Sequence, residues 1–296
     1  MFRGSMVALV TPLDAAGRVD EQGLARLVEW QVAQGTRGIV PCGTTGESAT
    51  LTHGEHCRVI EIAIEAAAGR VPVIAGSGSN ATAEAIELTR FAKKAGADAA
   101  LLITPYYNKP NQDGLVAHFS AIANAVDLPQ VLYNVPGRTA VNMLPETVAR
   151  LASHPNIVAV KEATGSIQAT GDIVRLCGDA IAVLSGDDFS NLGLLAMGAT
   201  GAISVTANVA PAQMAAMFDA WDRGDLAEAR RLHYELLPLH EVMFIDTNPI
   251  PVKAATAMMG LTGPTLRLPL TPLREPKVAR LRDALAAKGL VRERTA

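Results

Sequence analysis

The chain has 296 residues, 49% of them hydrophobic and 4% aromatic, with a net charge of −3 and both signs spread along its length. That is apolar content for a large core, and the lack of a basic tract argues against nucleic acid or an anionic membrane surface as a partner. No apolar run approaches the roughly 18 uninterrupted residues of a membrane-spanning helix. Cys42, Cys57 and Cys177 lack disulfide-framework or zinc spacing, and the first residues lead into a strand-like run, not a signal-peptide core. A cytoplasmic location is therefore expected.

Short β-branched runs alternate with longer amphipathic segments. Strands are expected at 6–10, 38–42, 72–75, 99–104, 130–135, 157–163, 182–185 and 201–205. Helices are expected between and after them, at 21–35, 53–69, 82–95, 112–125, 145–152, 166–176, 189–197 and 211–222. Gly96 closes the third helix and Pro145 opens the fifth. Continuous apolar strands separated by helices imply a covered parallel sheet, and eight such units favour closure into a (β/α)8 TIM barrel. A doubly wound open sheet is the competing α/β arrangement, but no G-x-G-x-x-G follows an early strand. Beyond residue 222 the strand signal stops, and helices are expected at 225–245, 249–260 and 274–289, with a Pro-rich stretch at 263–272. The expected organisation is a catalytic barrel over 1–224 and a helical C-terminal extension over 225–296.

Barrels of this class keep their chemistry at the C-terminal ends of the strands. The polar clusters fall there: Gly43-Thr44-Thr45-Gly46-Glu47-Ser48, Thr104-Pro105-Tyr106-Tyr107, Tyr133 with Arg138, Lys161, Ser185-Gly186-Asp187-Asp188, and Ile203-Ser204-Val205-Thr206. Lys161 lies in the apolar run Ile157-Val158-Ala159-Val160-Lys161. A charged amine is expensive to desolvate, so it is either neutralised or used, and a neutral amine attacks carbonyl carbon. The plain reading is a strand-end lysine reaching solvent or pairing with Glu162, although alternation sets those neighbours on opposite faces. The strand and its neighbour at Tyr133 suggest capture of a keto acid as a Schiff base on Lys161.

Taken singly, the other residues have plainer readings. For Tyr133 and Tyr107 the structural reading wins, as amphipathic core residues whose hydroxyls find local acceptors. Arg138 is a surface residue or, beside a reactive lysine, a carboxylate clamp. The 43–48 segment is a tight turn or an anion site built from glycines and N–H groups, and it is not a P-loop because no Lys follows its second glycine. His53 and His56, three apart, resemble half a metal site, but no further ligand set accompanies them and no metal is expected.

The ordered set resembles the dihydrodipicolinate synthase family of class I aldolases. It comprises the 43–48 segment, Pro105-Tyr106-Tyr107, Tyr133-Asn134-Val135-Pro136 with Arg138-Thr139, Lys161-Glu162-Ala163-Thr164-Gly165 and Ser185-Gly186-Asp187-Asp188. The resemblance runs on through Asn248-Pro249-Ile250-Pro251-Val252-Lys253. It implies condensation of pyruvate with aspartate 4-semialdehyde, without a cofactor, on the route to diaminopimelate and lysine. Lys161 would form the Schiff base, with Tyr133, Thr44 and Tyr107 as the proton relay and Tyr107 supplied by a neighbouring subunit. Thr45 would hold the pyruvate carboxylate, Arg138 the semialdehyde carboxylate, and Gly186 and Ile203 would line the site through backbone groups. Ser48, Ala49, His53, His56, Asn80, Glu84 and Tyr106 match a site for L-lysine as feedback inhibitor. The implied assembly is a homo-oligomer, a tetramer built as a dimer of dimers. N-acetylneuraminate lyase and keto-deoxy sugar acid aldolases are the nearest alternatives, and they generally lack a counterpart of Arg138. Gly137 is expected to loosen the loop that carries Arg138.

Overall fold

The alternation expected from the sequence is realised in chain order, and the computed structural model describes residues 2–292. It runs β1 (Gly4–Ala8), α1 (Glu21–Ala33), β2 (Ile39–Val40), α2 (His53–Ala67), β3 (Ile74–Gly76), α3 (Thr82–Ala95), β4 (Ala99–Ile103) and α4 (Gln112–Ala125). There follow β5 (Gln130–Asn134), α5 (Pro136–Thr139), α6 (Pro145–Leu151), β6 (Ile157–Glu162), α7 (Ile167–Cys177), β7 (Ala182–Ser185), α8 (Asn191–Ala196) and β8 (Gly201–Ser204). Four further helices complete the described chain: α9 (Pro211–Asp222), α10 (Leu226–Met243), α11 (Ile250–Met258) and α12 (Lys277–Ala287). The strands hydrogen-bond in the order β2-β1-β8-β7-β6-β5-β4-β3, and each registered pair is parallel. Every residue of β1, β5, β7 and β8 is buried, which is the pattern of a parallel sheet covered on both faces. This is the (β/α)8 barrel class with added C-terminal helices.

The chain divides into two compact units. One comprises the chain start through Met6 with Pro72–Ser204, and the other Val7–Val71 with the chain from Val205 onward. In the first unit β4, β5, β6 and β7 lie in register so that Ile103 faces Tyr133, Tyr133 faces Lys161, and Lys161 faces Leu184. Helix α3 ends on Gly96 at φ 97°, a left-handed cap that glycine adopts without strain, and Pro145 occupies the first turn of α6. Both punctuation marks stand where the sequence predicts them.

Boundaries differ where a turn overrides a run of apolar residues. The second strand is only Ile39–Val40, because Cys42 takes φ 55° and turns the chain out of the sheet. The first strand begins early, at Gly4, whose N–H donates to the Thr200 carbonyl at 2.9 Å. The turn α5 was not expected, since four residues are too few to show a helical period. Gly137 sits inside it, so this stretch is a helical turn and not a loosened loop.

In the second unit, α2 starts with a reciprocal capping box between Thr52 and Glu55. Arg267 grips the same carboxylate through both ends of its guanidinium, at 2.6 and 2.7 Å. It also donates to the Gly17 and Thr50 carbonyls. Arg267 first, and Thr52 second, hold the Glu55 carboxyl at about 2 against burial, which pushes it up. A carboxylate whose value is depressed on folding stabilises the fold above its unfolded value and loses that contribution as the pH falls. The drop from 4.5 to about 2 corresponds to roughly 3 kcal/mol, which partial exposure reduces to about 2 kcal/mol. Glu55→Gln is therefore expected to lower the unfolding free energy by about 2 kcal/mol at pH 7. In urea titrations, the gap to the parent chain should close as the pH falls below about 4.5. A gap that stays constant to pH 3 would contradict the assignment.

Candidate active site

A lysine near the C-terminal end of a buried strand needs something in place of water. Lys161 is 5% exposed, and its Nζ lies 4.2 Å from the centroid of the Tyr133 ring on the adjoining strand. The register Tyr133↔Lys161 produces that contact, and the neighbouring pair Asn134↔Glu162 projects to the opposite face. There the Glu162 carboxylate accepts from Asn134 Nδ2 at 2.9 Å and from the Thr164 N–H at 2.7 Å. Glu162 thus has its own partners, on the face away from Lys161. Among the described residues, no carboxylate lies within ion-pair distance of Lys161. The amine is dry, unpaired with an anion, and next to a phenol.

Gly186 explains how the lysine stem fits. A Cβ there would lie 2.7 Å from Ala163 Cβ and 3.0 Å from Lys161 Cε. The Gly186 N–H donates to the Glu162 carbonyl at 2.7 Å, so β7's end cannot retreat to make room. Ile203, buried in β8, lies two strands along from Lys161 in the same unit. Arg138 is exposed on α5, whose next residue anchors it. The Thr139 hydroxyl donates to the Val141 carbonyl at 3.0 Å and receives the Thr104 hydroxyl at 3.2 Å.

Tyr107 is 90% exposed and holds a left-handed φ of 73°. Two side-chain bonds tie its loop: Asn80 Nδ2 donates to the Tyr106 carbonyl at 3.2 Å, and Asn108 Nδ2 donates to the Asn80 carbonyl at 2.8 Å. Close by in sequence, the Ser79 hydroxyl bonds the Glu84 carboxylate. Asn80, Glu84 and Tyr106 thus belong to one corner of the first unit.

The second unit contains the remaining residues singled out from the sequence. The 43–48 segment curls on itself, Gly46 N–H to Gly43 carbonyl and Glu47 N–H to Thr44 carbonyl, each at 3.1 Å. Among the described residues, the N–H groups of Thr44 and Thr45 take no acceptor. Two adjacent backbone donors left open in a glycine-framed turn are an arrangement that can receive an anion. Gly46 is required by close packing, since a Cβ would meet Cys42 N and Leu9 O at 3.1 Å. Ser48 begins a 3-10 turn that includes Ala49, and His53 and His56 stand in the first turn of α2. His53 is exposed and His56 buried, so they do not share one environment as their spacing suggested.

Three residues of this unit, quoted in the sequence resemblance without a role, take one here. Asn248 Nδ2 donates to Thr45 Oγ1 at 3.0 Å. Lys253, wholly buried, places Nζ 2.5 Å from Glu47 Oε1, and the Arg267 N–H donates to Glu47 Oε2 at 3.2 Å. Burial pushes the Lys253 amine down from its usual value, while Glu47 opposes that shift. The signal was available, since Lys253 is a charge in an apolar helical run just as Lys161 is in a strand.

The chain matches the sequence model of the Dihydrodipicolinate synthetase family over residues 1–288. It is 60% identical over 291 residues, 98% of this chain and all of the relative, to the 4-hydroxy-tetrahydrodipicolinate synthase of Pelobacter propionicus. Among solved structures, it resembles the chloride-inhibited dihydrodipicolinate synthase of Acinetobacter baumannii complexed with pyruvate. That match has TM-score 0.97 and 49% identity, covering 98% of this chain and 100% of the other. It also resembles the lysine-bound DHDPS of Cyanidioschyzon merolae, with TM-score 0.95 and 43% identity over 98% of this chain and 99% of the other. Matched over nearly its whole length and identical to a full-length relative at three positions in five, this chain belongs to the dihydrodipicolinate synthetase family of enzymes.

Proposed function

We propose that this enzyme condenses pyruvate with L-aspartate 4-semialdehyde through a Schiff base on Lys161, as 4-hydroxy-tetrahydrodipicolinate synthase. The observation that carries the reading is the dry Lys161 amine, without an anionic partner, against the Tyr133 ring. The names of the close relatives and the pyruvate in the Acinetobacter structure support the substrates. The Lys161 amine adds to the keto carbon, water leaves, and the iminium acidifies the methyl group to give an enamine. The enamine carbon attacks the aldehyde, and the substrate amine displaces Lys161 as the ring closes. Tyr133 moves protons in both halves, with Thr44 and Tyr107 completing its relay. Thr45 and the open amides of its loop hold the keto-acid carboxylate, Arg138 holds the semialdehyde carboxylate, and Gly186 and Ile203 line the site. No cofactor enters the scheme. The product feeds diaminopimelate and lysine synthesis in the cytoplasm.

The exposed ring of Tyr107 on a braced, strained loop supports its use by a neighbouring subunit, in a dimer that pairs into a tetramer. Ser48, Ala49, His53, His56, Asn80, Glu84 and Tyr106 form the L-lysine inhibition site, a role supported by the lysine-bound relative.

The deciding experiment is turnover of pyruvate with the semialdehyde, coupled to an NADPH-dependent reductase that consumes the cyclic product. Turnover supports the reading. A borohydride-trappable pyruvate adduct without turnover would instead point to a sugar-acid aldolase or N-acetylneuraminate lyase. Gly186→Ala should push the Lys161 stem aside and slow adduct formation roughly 10- to 100-fold in a folded protein. Arg138→Ala should raise KM for the semialdehyde about 10- to 100-fold and leave that for pyruvate nearly unchanged. Equal losses for both substrates would refute that division of labour. L-lysine should lower the rate, and Glu84→Gln should relieve the inhibition without altering KM for pyruvate. Inhibition that persists unchanged in Glu84→Gln would remove Glu84 from the inhibitor site.

A further inference from the structure

A threonine hydroxyl has one hydrogen to give and lone pairs to receive, so its role in a site depends on which neighbour donates to it. At Thr45 the neighbour is Asn248, whose amide nitrogen donates to Oγ1 at 3.0 Å. Thr45 is 2% exposed, so water does not compete for that oxygen. With Oγ1 already accepting, the Thr45 hydrogen remains to be donated. The adjoining Thr44 and Thr45 N–H groups take no acceptor among the described residues. Three donors in two adjoining residues are then open to an acceptor.

The same stretch of chain fixes the curl that presents them. Two residues beyond Thr45, Glu47 adopts a left-handed φ of 55°. Its buried carboxylate is bound by Lys253 at 2.5 Å and by the Arg267 N–H at 3.2 Å. On the other side, the Thr11 hydroxyl donates to the Gly46 carbonyl at 2.7 Å. A fully buried ion pair adds little net stability compared with apolar packing, but it fixes its two ends in place. We propose that Asn248 and Lys253 are positioning residues for this loop: Asn248 commits the Thr45 hydroxyl to donating toward the carboxylate of a 2-keto acid, and Lys253 holds the loop through Glu47. The proposal rests on the reading that this loop binds the keto-acid carboxylate.

The test is the pyruvate concentration that half-saturates borohydride trapping on the full-length enzyme, a readout that involves no second substrate. Asn248→Asp is nearly isosteric and replaces the donor by an acceptor that turns the Thr45 hydrogen toward itself. Half-saturation should rise at least about tenfold relative to the parent enzyme. The maximal trapping rate and the melting temperature should stay close to the parent values. The defect should shrink as the pH is lowered, because protonation of the introduced carboxyl restores a donor to Oγ1. Lys253→Met should also weaken pyruvate, and Glu47→Gln should do so less, since its amide oxygen still accepts from Lys253. An Asn248→Asp enzyme with unchanged half-saturation overturns the proposal. So does a defect that is independent of pH and appears only as lost thermal stability. If the parent enzyme traps no pyruvate at all, the Schiff-base reading has failed, and the proposal falls with it by a different signature.

Discussion

The architecture depends on one electrostatic fact: a primary amine in a low-dielectric interior cannot stay charged and alone. Among the described residues two lysines are buried, Lys161 in β6 and Lys253 in α11, and they are treated differently. Lys253 is placed against Glu47 at 2.5 Å, so its charge is answered by a charge, with the backbone N–H of Arg267 on the second carboxylate oxygen. Lys161 faces the ring of Tyr133 at 4.2 Å with no anion in reach among the described residues. A lysine bound to a carboxylate is held by it, while a lysine with no anion in reach has no such tether. The same residue type is thus ion-paired in one unit and left without an anion in the other.

What keeps Glu162 from quenching its neighbour is the pleat. Alternation sends its carboxylate to the face where Asn134 and the Thr164 N–H satisfy it, and Asn134 is fixed in turn through Asn142 and the Met143 N–H. A one-residue slip between β5 and β6 would exchange the faces and bring the wrong pair together. The site's electrostatics are therefore a consequence of strand register, and within β5 and β6 that register is marked by the Asn134–Glu162 hydrogen bond on one face and the Tyr133–Lys161 contact on the other.

The eight β/α units were legible because buried parallel strands write themselves as continuous apolar runs, and glycine or proline marks the helix ends, as at Gly96 and Pro145. Strand ends were legible only to within about two residues, because a turn such as that at Cys42 is set by tertiary packing and not by local composition. Lys161 stood out as a charge inside such a run. Lys253, in Ile250-Pro251-Val252-Lys253-Ala254-Ala255, carries the same signal, but its meaning depends on Glu47, which sequence proximity does not reveal. Nor could composition tell that Tyr133 is buried while Tyr107, two residues after a proline in a similar aromatic motif, stands in solvent. One-turn elements such as α5 lie below the resolution of any periodicity argument.

Strain is distributed unevenly, and its location bears on function. Six described residues other than glycine hold a left-handed φ: Ala68 caps a helix, and Cys42, Glu47, Tyr107, Lys109 and Ala140 lie in the loops after β2, β4 and β5. Each such residue costs of the order of 1–3 kcal/mol and persists only where its surroundings over-determine it. Here the determinants can be named. Lys253 holds Glu47, the Asn80 and Asn108 amides hold the turn at Tyr107, and Thr139, bonded to Thr104, holds the turn that ends at Ala140. The Lys253–Glu47 and Thr104–Thr139 braces are buried, so a loop that relaxed there would leave an unsatisfied partner and exchange one penalty for another, whereas the Asn80 and Asn108 bonds are exposed. That coupling fixes the backbone of each such loop in its strained conformation. It also explains why such loops tolerate residues that local backbone preference alone would reject.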